Sequence, residues 1–115
     1  MFKNIDGIMY FSSEPKKSLH WYSELFEIKP SYQEEYDFYY LEVNGSIIEF
    51  HQVDSKNGVG TEGQVCYWKV VDFDKVYNRM LSLGASAYRG PMEIDYGRKM
   101  AQLKDPFGNL IGIRG

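Results

Sequence analysis

Cysteine is nearly absent from this sequence. Cys66 is the one thiol in 115 residues, so no internal bridge can form and nothing marks a secreted disulfide scaffold. Basic residues are in the minority. Thirteen Lys+Arg stand against sixteen Asp+Glu, a net charge of −3 with a pI near 5.3. No basic stripe is present to neutralise phosphates, which excludes nucleic acid as the expected partner. Long apolar runs are missing too. None approaches the ~18 residues of a membrane span, and the opening Met1-Phe2-Lys3-Asn4-Ile5-Asp6 is no signal peptide. The expectation is a soluble cytoplasmic protein. What the chain has in excess is rings: ten Tyr, seven Phe and two Trp, 17% of all residues. Disorder goes with few aromatics, so the chain should fold. So many rings exceed what a small core readily hides, which points to a lined pocket or an interface.

Gly7 to Phe11 is short and apolar and reads as a buried strand. Ser13 or Glu14 can cap a helix whose first position is Pro15. Leu19, Tyr22, Leu25 and Phe26 recur at helical spacing, which predicts an amphipathic helix over 15–26, with Pro30 blocking its continuation. Lys29 to Gln33, Phe38 to Val43 and Ser46 to Val53 are rich in β-formers, with a turn at Asn44-Gly45. Ser55 to Gly63 is polar with three glycines and reads as a linker. The pattern then recurs. Gln64 to Val70 is a strand, and Asp72 caps a helix carrying Val76, Met80 and Leu83 on one face, which Gly84 can end. Ser86 to Arg89, Arg98 to Lys104 and Asn109 to Ile113 are further strands. Asp105-Pro106-Phe107-Gly108 has type I turn chemistry.

The halves superpose by offset. Gly7-Ile-Met-Tyr-Phe lies 57 positions before Gln64-Val-Cys-Tyr-Trp, Leu25 lies 58 before Leu83, and Gly45-Ser-Ile-Ile-Glu lies 63 before Gly108-Asn-Leu-Ile-Gly. This is an internal duplication of β-α-β-β-β. The expected class is α+β: a single domain, 1–115, made of two repeated modules, about 1–54 and 64–115, joined by the Gly-rich segment 55–63. A ferredoxin-like sheet, with about four strands, is the alternative.

The repeat, the helix segment Ser18-Leu-His-Trp-Tyr-Ser-Glu-Leu-Phe26 and the closing Asp105-Pro-Phe-Gly-Asn109 together resemble the vicinal-oxygen-chelate superfamily. That superfamily includes glyoxalase I, bleomycin-resistance proteins, fosfomycin-resistance enzymes and extradiol dioxygenases. The resemblance covers almost the whole chain. It implies two curled, open mixed sheets around one cleft, and a homodimer in which two chains complete the clefts.

In the enzymatic members the resemblance also implies a divalent metal, held by side chains from the first and last strand of each module. Those positions fall on Gly7, Glu49, Gln64 and Gly112. Glu49 and Gln64 are acceptable ligands, but the glycines have no side chain. Three or more protein ligands are the norm for a catalytic metal. His51 is the one possible third, although side chains at i and i+2 on a strand stand about 6.5 to 7 Å apart. We therefore expect no cofactor and no metal; if a metal binds, its ligands are Glu49, Gln64 and His51.

Alternation along the strands places Gly7, Met9 and Phe11 on one face with Ile47, Glu49 and His51. It does the same for Gln64, Cys66 and Trp68 with Leu110, Gly112 and Arg114. Phe38 or Tyr40, and Met100 or Gln102, join from the third strands. Gly7 and Gly112 make room for a ring or ligand, and Arg114 is a candidate partner for the Glu49 carboxylate. The candidate ligand-binding set is Met9, Phe11, Glu49, His51, Gln64, Cys66, Trp68, Met100 and Arg114. Two loops that mix acids with Tyr, 33–37 and 92–96, could attract a cationic planar ligand. The functional expectation is a metal-independent small-molecule-binding protein of the glyoxalase/bleomycin-resistance type, with an aromatic or cationic ligand. The alternative is a metal-dependent glyoxalase-like lyase or isomerase, with Glu49 as catalytic residue and Gln64 beside it. An extradiol dioxygenase needs two His and a carboxylate. His51 and His20 are the only histidines, and His20 falls on a helix.

Overall fold

The computed structural model describes residues 1–115, the whole chain. The chain divides into two compact units, Met1–Val59 and Gly60–Gly115.

The first unit runs β1 (Gly7–Ser12), α1 (Pro15–Phe26), β2 (Ser31–Gln33), β3 (Phe38–Val43) and β4 (Ser46–Gln52). Its sheet has the order β1-β4-β3-β2, with β1 and β4 parallel and the other pairs antiparallel. The helix starts where Pro15 was expected to start it, but neither Ser13 nor the Glu14 side chain caps it. Glu14 is the cap residue but makes no side-chain capping bond, and the buried Ser12 acts instead. Its Oγ accepts the Glu14 N–H at 2.9 Å and the Ser18 hydroxyl at 2.8 Å. The helix ends at Glu27, which is left-handed at φ 57°, while the Ile28 N–H returns to the Ser23 carbonyl at 3.0 Å. That closes the helix ahead of Pro30. α1 packs against β1, β3 and β4. Tyr22 sits at the centre, its ring 5.1 Å from Tyr10 and 5.2 Å from Phe50. Asn44 and Gly45 both have positive φ, 50° and 87°, as a two-residue hairpin of this twist requires.

The second unit repeats this order: β5 (Tyr67–Lys69), α2 (Phe73–Ser82), β6 (Ser86–Glu93), β7 (Lys99–Lys104) and β8 (Leu110–Arg114). The sheet order is β5-β8-β7-β6, again with the first and last strands parallel. The chain is therefore α+β, with two open four-stranded mixed sheets and one helix to each. A four-strand ferredoxin-like sheet is excluded. The Asp72 carboxylate accepts the Lys75 N–H at 3.3 Å, capping α2. At the β7–β8 turn the buried Asp105 accepts from Phe107 N–H at 2.8 Å and Asn109 N–H at 3.0 Å, and the Gly108 N–H closes on the Asp105 carbonyl at 3.2 Å. α2 lies over β6, β7 and β8, where Met80, Ala101, Leu103, Ile111 and Ile113 are fully or almost fully buried. No helix is long and apolar enough to cross a membrane.

Two expected strands, both in the second unit, change length most. Gln64 to Val70 shrinks to Tyr67–Lys69, so Gln64 and Cys66 precede the strand. β6 instead continues past Arg89 to Glu93, with register shifts between Ala87 and Arg89 and between Arg89 and Met92. Such bulges let a strand absorb Gly90-Pro91 without ending.

Candidate functional site

Each sheet has one face under its helix and one face that its helix leaves free. In the first unit the cross-strand register is Met9 with Glu49, Phe11 with His51, and Tyr40 with Glu49. Paired residues share a face, so Met9, Phe11, Glu49, His51 and Tyr40 stand together on the free face, as alternation predicts. His51 Nε2 lies 3.0 Å from Glu49 Oε1. The expected strand spacing of i and i+2 is thus overridden by the two side chains bending toward each other. A carboxylate oxygen accepts, so Nε2–H donates. Within its own unit, Glu49 finds a partner two residues along its strand. The pair is about a third exposed, His51 at 32% and Glu49 at 29%, so its attraction adds under ~1 kcal/mol to stability. Its value is orientation.

Rings flank the imidazole. Phe38 stacks almost parallel to it at 6.4 Å and Phe11 lies tilted at 6.2 Å. At the end of the sheet near α1 is a depression of about 480 Å³, walled by Phe11, Tyr39, Phe50 and His51, with the carboxylates of Asp37 and Asp54 also on its lining. Asp37 accepts the Tyr32 hydroxyl at 2.6 Å. That bond, ahead of desolvation and the carboxylate's charge, pushes the Tyr32 ionisation up to about 12. Asp54 accepts the N–H groups of Asn57 and Lys56, and these bonds hold its carboxyl below the usual range.

The second unit corrects the sequence reading. Its register pairs Tyr67 with Gly112 and Trp68 with Ile113. Trp68 therefore belongs to the helix-covered face with Ile111 and Ile113, and Tyr67 takes the place beside Gly112 that Trp68 was expected to fill. A one-residue slip reverses every side chain of a strand. Gln64 is exposed ahead of the strand. Cys66 takes part through its carbonyl, which accepts the Gly112 N–H at 2.8 Å, and burial pushes its thiol ionisation up. Met100 and Arg114 are direct cross-strand partners on the free face. The Arg114 guanidinium lies over the Tyr67 ring, 4.0 Å from its centroid, and Gln102 Nε2 donates to the Tyr67 oxygen at 2.7 Å. Gly112 makes this possible: a Cβ there would fall 2.6 Å from a Tyr67 ring carbon. The glycine does make room for a ring, and the ring is the protein's own.

Tyr67 is the candidate site residue that the sequence reading missed. The helices carry the signal that could have found it. Pro15 and Phe73 open equivalent helices 58 positions apart, and the same offset takes Met9 to Tyr67.

The donor set fits a divalent metal poorly. Gly7 and Gly112 offer no side chain, Glu49 is engaged by His51, and no group of three or more His, Cys, Asp or Glu stands close enough together to hold an ion. Carboxylate, imidazole and aromatic faces suit hydrogen bonding and stacking of an organic ligand.

Residues 4–113 match the family model described as the Glyoxalase/Bleomycin resistance protein/Dioxygenase superfamily. No curated protein sequence matches the chain. Among solved structures, a member of that superfamily from Sphaerobacter thermophilus DSM 20745 is similar with a TM-score of 0.79 at 15% identity, over 98% of this chain and 97% of the other. A family enzyme from Burkholderia phytofirmans PsJN gives 0.75 at 18% identity, over 97% and 98%. The fosfomycin resistance protein FosX from Mesorhizobium loti gives 0.75 at 12% identity, over 99% and 92%.

Proposed function

The chain belongs to the glyoxalase/bleomycin resistance protein/dioxygenase superfamily, and we propose that within it this protein binds a small aromatic or cationic molecule without a metal ion. The observation that carries this reading is the depression of about 480 Å³ in the first unit, with aromatic walls and two carboxylates on its lining. Ligand sites typically enclose about 300–1,000 Å³ and combine apolar walls with few polar groups. Phe11 and His51 offer faces for stacking, and Asp37 and Asp54 offer charge to a cation. The Glu49–His51 pair beside it leaves the imidazole Nδ1 edge to hydrogen-bond a ligand.

The metal-dependent lyase or isomerase reading has less support. It relies on Gln64, which is exposed and off the strand, and on Glu49, which is already bonded. Homodimerisation is part of the proposal. β1 and β5 are edge strands of their own sheets, and a second chain would supply contacts that a module of about 55 residues lacks.

Titration of the purified protein with Ni²⁺ and Zn²⁺, followed calorimetrically, tests the metal-free reading. We expect no stoichiometric uptake; tight one-to-one binding would overturn it. A thermal-shift screen of planar cations tests the ligand class, because a ligand specific to the native state raises the melting temperature. Glu49→Ala and Phe11→Ala should abolish the shift while leaving the fold intact. Sedimentation at micromolar concentration checks the dimer.

A further inference from the structure

We infer that the free face of the second unit is an anion-recognition surface built on Arg114, and that it takes the carboxylate or phosphonate group of an aromatic small molecule. The inference rests on the reading above that this protein binds a small aromatic molecule.

Cross-strand register defines that face. Tyr67 pairs with Gly112, Lys69 with Arg114, Met100 with Arg114, Gln102 with Gly112, Arg89 with Gln102, and Lys104 with Leu110. Four cations, Lys69, Arg89, Lys104 and Arg114, therefore share one side of the sheet, and no Asp or Glu occupies a paired position there. In a chain with sixteen acids and thirteen bases, such a face runs against the composition. None of the four cations has a carboxylate partner within its unit. The corresponding face of the first unit has the opposite sign. Glu42 pairs with Ile47 and Glu49 with Tyr40 there, and no Lys or Arg joins them. The repeats share a topology and have diverged in charge.

Arg114 is the centre because it is already held. Its guanidinium stacks on Tyr67 at 4.0 Å, which fixes the plane of the fork and leaves its edge N–H groups for a planar or tetrahedral oxyanion. The Tyr67 oxygen accepts from Gln102 at 2.7 Å, so the phenolic hydrogen remains free to be donated. The space below the ring is kept by Gly112. Donors positioned before the ligand arrives lose less freedom on binding, which favours affinity. The Tyr67 ring and Met100 offer apolar surface beside the charge for the remainder of the molecule.

Calorimetry on the full chain with phenylphosphonate, benzoate, inorganic phosphate and benzamidine tests the assignment. Saturable binding of phenylphosphonate or benzoate is expected, whichever is tighter naming the oxyanion. Inorganic phosphate should bind more weakly. Arg114→Gln should weaken the better aryl anion about tenfold or more, with Arg114→Lys intermediate because the fork is lost. Neither change should alter benzamidine binding. Arg114 is exposed, so both variants should fold; Arg89→Gln is a second exposed probe that should weaken the anion less. Anion affinity unchanged in Arg114→Gln, or no saturable anion binding at millimolar concentration, would overturn the inference. Benzamidine binding in that case would leave the first-unit reading standing. Conversely, stoichiometric metal uptake would defeat the metal-free reading without touching the anion site.

Discussion

Gly112 and Tyr67 occupy a single space: the ring sits where a side chain at position 112 would begin, 2.6 Å from the place of its Cβ. Gly112→Ala must push the ring off β8, breaking the Gln102 bond and the Arg114 stack. Overpacking of this kind costs about 1–3 kcal/mol. The penalty should vanish when Tyr67→Ala is also present, because the obstacle is gone. A double-mutant cycle by urea denaturation checks this, and additive losses would contradict the steric account.

Phe50 is 1% exposed, with the Tyr22 ring 5.2 Å and the Tyr10 ring 6.1 Å from its own. Phe50→Ala should cost about 3–5 kcal/mol, since both the transfer energy and the cavity left behind count against it. That is a large share of a typical domain's stability of about 5–15 kcal/mol. Thermal or urea unfolding measures it.

Ser12 is fully buried and serves the start of α1 with two bonds. Ser12→Ala leaves the Glu14 N–H and the buried Ser18 hydroxyl without that partner. A loss of about 1–3 kcal/mol is expected. Ser12→Ala with Ser18→Ala should recover part of it, because a buried pair replaced together leaves fewer stranded polar groups.

Tyr32 donates to Asp37 and has its ionisation raised to about 12 from 10.0. A raised value means the neutral hydroxyl is favoured in the folded state. The contribution is complete below pH 10.0 and is lost as pH rises through about 12. Absorbance titration should find one tyrosine ionising late, and Asp37→Ala should return it to the ordinary range. Ordinary titration of Tyr32 in the unsubstituted chain would refute the bond.

Much of the fold was legible because its signals are local. Pro15 and Asp72 mark helix starts that both hold, and the Asp105 turn forms as its residues demand. The family resemblance and the repeat follow from such local signals in order. The faces of the first sheet were legible too, because Gly7 to Phe11 and Ser46 to Gln52 lie on strands long enough to alternate. The second unit was harder. Gln64 to Val70 mixes apolar residues on both parities, and only the parallel pairing with β8, about 45 residues away, decides which side Tyr67 faces. The Glu49–His51 bond was hidden for a different reason. It depends on side-chain rotamers, and strand geometry alone predicts separation.

The parallel pairing in each unit also governs how the chain must assemble. Gly7 meets Ile47 and Tyr67 meets Gly112, so each parallel ladder joins residues about 40 to 45 apart, and the closure entropy is spent before any ladder bond repays it. The local pieces, α1 and the Asn44-Gly45 hairpin in one unit and α2 and the Asp105 turn in the other, can form early. Closing the parallel pair should then set the folding rate of each half, and substitutions in β4 or β8 should slow refolding more than those in either helix.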